Sequence, residues 1–195
     1  MSIVDEYLAG LMPLLAAEDR EQLQRAHGAS KADLQALVER YPQTPASLLE
    51  LLGRIDGTHF REYPEGEVCV LMLGSDVFEY PYYLSSVEQI IQEAREGKDS
   101  IEGIYGDYLQ EDADLLGAGI DSTLAMDQRL CFSQCMNNGG TSRLYLDFDP
   151  APGGTVGQVV RYLHDPDSYK VIAASFDDYL RDLIENNYEF IYDVE

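Results

Sequence analysis

The cleanest alternation of apolar and polar positions runs from Arg143 to Phe148. Leu144, Leu146 and Phe148 point one way, and Arg143, Tyr145 and Asp147 point the other. A period of two predicts a half-buried strand. Pro150, Pro152, Gly153 and Gly154 then break the chain. A second strand follows from Gly157 to about Leu163, with Val159 and Leu163 on one face and Val160 and Tyr162 on the other. The short link makes the pair an antiparallel hairpin with more than a two-residue turn. Ser175 opens a helix, with Asp178 in the place of the usual Glu of a capping box. Phe176, Tyr179, Leu180, Leu183 and Ile184 follow at helical spacing. Leu144, Leu146, Phe148, Phe176, Leu180 and Leu183 are therefore expected to form one core between sheet and helix.

Upstream, Ile3, Val4, Tyr7, Leu8, Leu11, Leu14 and Leu15 lie at helical spacing, and Ser2 can cap them. Pro13 should kink or restart that helix. Ser30 with Asp33 opens a second helix carrying Leu34, Leu37, Val38 and Tyr41, which Pro42 stops. Thr44 and Pro45 form an N-cap and first-turn pair for a third, with Leu48, Leu49, Leu51, Leu52 and Ile55 as its apolar face. Thr58 to Tyr63 alternates as a strand. Pro64, Glu65 and Gly66 form a turn, and the continuous apolar run Val68 to Leu73 predicts a central strand paired with it. Gly74 to Tyr83 reads as irregular and aromatic. Ser85 with Glu88 is a capping box for a fourth helix on Val87, Ile90, Ile91 and Ala94, with Gly97 as its C-cap.

The segment from Lys98 to Asp127 is the least patterned. Ile101, Ile104, Tyr105, Tyr108 and Leu109 permit a helix despite Gly103 and Gly106, and the rest reads as loop with a short strand. The fold class predicted is α+β: a mostly antiparallel sheet of about five or six strands, helices packed on one face, an N-terminal helical extension and a C-terminal amphipathic helix. Residues 1–28 are taken as the extension and 29–195 as the α+β domain, within a single domain overall.

Several blocks occur in a fixed order: FS-x3-NNGG, LYLDFDP, GG-x2-GQV, YLHD and ASFDDYL, preceded by YPQTPASLLELLGRIDGT. This succession, over roughly residues 34 to 190, resembles the SUKH superfamily of the Smi/Knr type. That family is named for yeast cell-wall synthesis regulators and is widespread as bacterial immunity proteins. Members often carry tryptophan before the FS strand, whereas this chain has none. The resemblance implies a non-enzymatic role, either in neutralising a toxin or as a regulatory scaffold.

Composition changes the picture mainly through charge. Hydrophobic content of 45% and charged content of 25% are ordinary for a globular protein, but 36 acidic residues face 13 basic ones, for a formal net charge of −23. Such a surface repels nucleic acid and anionic membranes and attracts basic partners. Within 98–127, Asp99, Glu102, Asp107, Glu111, Asp112, Asp114, Asp121 and Asp127 stand against the single base Lys98. Three cysteines, an odd number, argue against a disulfide framework. The opening residues MSIVDEY lack a basic n-region, and no apolar run approaches the roughly twenty residues of a membrane span. A reducing, cytoplasmic setting is the expectation.

No pattern of catalytic chemistry is complete. Cys131 and Cys135 lack the paired spacing of a zinc site, and His27, His59 and His164 are scattered, so buried free thiols and no metal are expected. Asp147-x-Asp149 could hold a divalent cation through two carboxylates, and a carboxylate-metal hydrolase on that pair is the competing reading. A solvated acidic face is the simpler one. Gly153, Gly154 and Gly157 lack the lysine and following helix of a phosphate loop. Together with Gly139 and Gly140, the first two read as turn residues with positive φ. Ser75 and Ser133 lack a nucleophile-elbow context, and no cofactor is implied.

The functional expectation is therefore a protein that binds another protein, in charge terms a basic toxin domain such as a nuclease. Tyrosine is abundant, with 14 residues. The expected contacts are Asp76, Tyr80, Tyr82, Tyr83, Tyr145, Asp147 and Asp149, with Tyr145 and Asp147 on the sheet face opposite Leu144 and Leu146.

Overall fold

A computed structural model describes residues 1–191. The chain begins with four helices: α1 (Ile3–Leu11), α2 (Ala17–Leu23), α3 (Lys31–Arg40) and α4 (Ala46–Leu52). A small hairpin of β1 (Arg61–Tyr63) and β2 (Gly66–Val68) follows, then β3 (Leu71–Leu73) and β4 (Tyr82–Leu84). After α5 (Val87–Glu96), α6 (Ile101–Tyr105) and α7 (Tyr108–Glu111), the chain forms the long strands β5 (Leu130–Asn137) and β6 (Gly140–Asp147). It closes with β7 (Gln158–Leu163), β8 (Ser168–Ala173) and α8 (Phe176–Glu185). The strands β3 to β8 make one six-stranded antiparallel sheet in sequence order, and β1 with β2 make a separate two-stranded one.

Local sequence explains most boundaries. The Ser2 and Asp5 pair forms a reciprocal capping box on α1, and Ser30 and Ser175 accept from the backbone N–H three residues on. The box on α5 is Ser86 with Gln89, one residue beyond the expected Ser85 and Glu88. On α4 the cap position is Pro45 itself, while the Thr44 hydroxyl donates back to the Tyr41 carbonyl at 2.7 Å. Pro13 separates α1 from α2, so the first apolar stripe belongs to one helix and the start of a turn.

The run Val68 to Leu73 departs from expectation. It is split between two sheets, and β3 lies at the edge of the large one. Four of its six side chains are nonetheless buried because α1 and the C-terminal region cover that edge: Val68, Val70, Met72 and Leu73 are all within the main core. The Tyr7 hydroxyl donates to the Met72 carbonyl, and the Tyr188 hydroxyl donates to the Tyr7 carbonyl at 2.9 Å. The burial of these four thus comes from tertiary cover, not from a central position, while Cys69 and Leu71 are only half-buried. The strands β4 and β8 had no clear signature; β4 is three residues long, and β8 mixes Lys170 with its apolar positions.

The main core lies on one face of the sheet. Leu144, Leu146, Phe176, Leu180 and Leu183 are buried within it, and Phe148 packs against it half-buried. The Phe132 ring meets Phe176 edge-on, with centroids 5.3 Å apart. α1 also contributes Val4, Tyr7 and Leu11 to this core.

Leu146 is fully buried. Leu146→Ala is expected to cost about 2–5 kcal/mol, read as a lower midpoint in urea melts with little change in slope.

Candidate interaction surface

The sheet's second face decides what is available for contact. Tyr145 and Val160 do point away from Leu144 and Leu146, but they enter a second core with Ile101, Ile120, Met126 and Tyr169. The acidic segment, through α6 and the loop before β5, is laid over this part of the sheet. Tyr145 is 5% exposed and Asp147 fully buried, which corrects their expected place on an open face. Tyr82 is fully buried as well, because its ring enters the main core.

A buried polar group fastens the segment down. Arg129 and Asp147 have side chains 0% exposed, with Nε 3.5 Å from Oδ1. That separation makes an ion pair, although the Arg129 Nε has no hydrogen bond. The guanidinium also donates to the carbonyl of Asp121 at 2.7 Å and to that of Leu124 at 3.2 Å. Gln158 Nε2 donates to Asp147 Oδ2 at 3.2 Å and to the Gly119 carbonyl at 2.8 Å. Strands β6 and β7 and the acidic segment therefore meet at one buried site. Arg129 was not identified from the sequence: a lone arginine before a strand has no local signature. Its burial depends on a carboxylate placed there by the sheet.

The glycines divide by role. Gly139 and Gly153 have φ of 84° and 94°, as a turn requires. Gly140 and Gly154 instead permit close approach. A Cβ on Gly140 would lie 2.2 Å from the His164 ring, and one on Gly154 would lie 2.4 Å from the Gly119 carbonyl oxygen. The NNGG and YLHD blocks thus meet at one end of the sheet. Asn137 Nδ2 donates to the His164 carbonyl at 2.7 Å, and the His164 N–H donates to Ser142 Oγ at 2.9 Å. Asn138 Nδ2 reaches the Asp165 carbonyl at 3.1 Å and the Tyr80 hydroxyl at 3.3 Å.

The other expected contacts are dispersed. Asp76 receives the Arg161 guanidinium at 2.9 and 3.1 Å and Lys170 Nζ at 2.8 Å. Partial burial works to raise its pKa, but those bonds outweigh it and hold the carboxyl below its ordinary value. Tyr80 is half-buried against the main core. Tyr83 is half-buried and packs on His59, with centroids 4.9 Å apart; burial raises its hydroxyl to about 12. Asp149 is exposed, and its N–H donates to Asp147 Oδ1 at 3.3 Å.

The possible metal pair is therefore committed elsewhere: Asp147 faces Arg129 and Gln158, and only Asp149 reaches solvent. Among the described residues, no group of three or more His, Cys, Asp or Glu side chains is placed to hold a metal ion. No helix is long and apolar enough to cross a membrane among those residues. Cys69, Cys131 and Cys135 are free thiols, and burial pushes Cys131 and Cys135 up to about 12.

Comparison with known families gives a match to the SMI1 / KNR4 family (SUKH-1) over residues 28–182. No curated protein matches the chain.

Removing Arg129 while keeping Asp147 leaves a buried carboxylate alone. Arg129→Met is expected to lose about 3–5 kcal/mol, with faster amide exchange concentrated in 98–127, measured by denaturation and hydrogen exchange. Cys69 is partly exposed whereas Cys131 and Cys135 are buried. Native protein at neutral pH should therefore take up a thiol reagent at Cys69 well before the other two, and all three should react in denaturant, as mapped by peptide mass spectrometry.

Proposed function

Because the chain belongs to the SMI1 / KNR4 family (SUKH-1), we propose that it is a non-catalytic binding protein that neutralises a cationic toxin domain. The family is consistent with an immunity-type or regulatory binding module. The observation that carries the more specific reading is charge: 36 acidic residues against 13 basic ones. A field of that sign accelerates encounter with a basic surface and disfavours nucleic acid, which a nuclease toxin must itself attract. We place this activity in the cytoplasm, where an inhibitor would protect nucleic acid. Of the contacts expected from the sequence, Tyr83 is retained as a proposed contact, while Asp76, Tyr80 and Asp149 are dispersed elsewhere. Tyr82, Tyr145 and Asp147 are buried and serve the scaffold.

The test takes the protein encoded by the adjacent gene, purified, as the candidate toxin. Co-expression should restore growth, and the association rate should fall steeply with added salt while dissociation changes little. Surface plasmon resonance over a salt series measures both rates. Absence of binding would overturn the proposed function; salt-insensitive association would overturn its electrostatic component.

A further inference from the structure

The acidic segment covers only part of the sheet's second face. A register row crosses all six strands through Leu71, Tyr83, Gln134, Arg143, Tyr162 and Tyr169. At the β8 end, Tyr169 is buried in the second core. Toward β4 and β5, the same face opens. Met136, two residues beyond Gln134 and hence on its face, is 73% exposed. Phe60, just before β1, is 58% exposed and lies 5.9 Å from the Tyr83 ring. His59 links the two regions, with its Nδ1 2.9 Å from Gln134 Nε2.

This open area is held in place from its border. Gln89 on α5 donates to the His59 carbonyl at 3.0 Å, and Glu93 one turn on pairs with Arg143 at 3.1 Å. Phe60 has φ of 48°, in the left-handed region that a bulky side chain rarely occupies. The ring there is largely exposed and packs beside His59 and Tyr83. The unfavourable conformation and exposure of the same aromatic side chain favour a contact role over a packing role. Phenylalanine, tyrosine, methionine and arginine are also the residue types enriched where proteins meet.

We propose that this uncovered half of the sheet, centred on Phe60, Tyr83 and Met136, is the docking surface for a cationic protein domain. This inference rests on the proposed toxin-binding function and gives that function a location. Charge complementarity selects the occupant. Beside Phe60, Arg61 is already bound by both Asp56 and Glu88, at 2.9 Å each, leaving that border net negative. Arg143 is likewise paired with Glu93, and the whole chain carries a formal charge of −23. The apolar centre would supply desolvated contact and the acidic border would steer and orient the partner.

The experiment measures the dissociation constant for the same candidate toxin by surface plasmon resonance, using the full chain and three single variants. Phe60→Ser and Met136→Ser are each expected to weaken binding by roughly 30-fold or more, with unchanged melting curves. Val156→Ser is the control: Val156 is another exposed apolar residue, 57% accessible, but lies in the β6–β7 turn. It should bind as the unaltered chain does. Wild-type affinity in both patch variants, or an equal loss in the control, would overturn this surface while leaving toxin binding intact. No binding by the unaltered chain would overturn the proposed function and the docking surface together.

Discussion

The buried pairing of Arg129 with Asp147 is the constraint on which the second core depends. Both side chains are fully removed from solvent. Either charge alone in that position would face a penalty of several kcal/mol. Together they join the end of β6 to the loop carrying Asp121 and Leu124, and Gln158 ties the same carboxylate to β7. A strongly acidic segment is thereby held against a sheet without placing its carboxylates in the interior. Its apolar minority, including Ile101, Ile120 and Met126, faces inward. Asp99, Glu102, Asp107, Glu111, Asp112 and Asp114 remain exposed. Hydrophobic burial and charge solvation are both satisfied by this division.

The resulting sheet has unequal faces. One is covered by helices from both ends of the chain; the other is covered by the acidic segment from Cys131 on β5 and Tyr145 on β6 across to β7 and β8, and opens toward β4 and the Met136 end of β5. Residues sharing that second face consequently have different possible roles. Tyr145 is a packing residue, while Tyr83 and Met136 border solvent. The binding reading is therefore better served by the open end of the face than by the central strand. This placement also separates the stabilising polar contacts from the area proposed for recognition. Asp147 and Arg129 support the covered end, whereas Phe60 and Met136 occupy the open one.

The order of short blocks has a physical counterpart within this one chain. NNGG and YLHD are distant in sequence but meet where Gly140 admits the His164 ring. The GG-x2-GQV block combines a positive-φ turn at Gly153, a close approach at Gly154 and a buried amide at Gln158. Each block would be weak as an isolated motif. Their meaning comes from the contacts that require their particular side chains, or the absence of one.

By itself, the sequence determined the alternating strand read at Arg143 to Phe148, the hairpin after it, the capped helix at Ser175 and the strongly acidic character. These depend on local periodicity, turn chemistry and composition. Tertiary structure decided that Val68 to Leu73 is divided between two sheets and that Tyr82, Tyr145 and Asp147 are buried. It also placed Arg129 beside Asp147 and left Phe60 and Met136 exposed. A two-residue repeat identifies which side chains share a face, but not what covers that face. Cover depends on partners far away in sequence: Ile101 and Ile120 over Tyr145, Tyr7 against Met72, and His164 against Gly140. Local alternation could therefore orient Tyr145 correctly, while only long-range packing could determine whether it met solvent or another core.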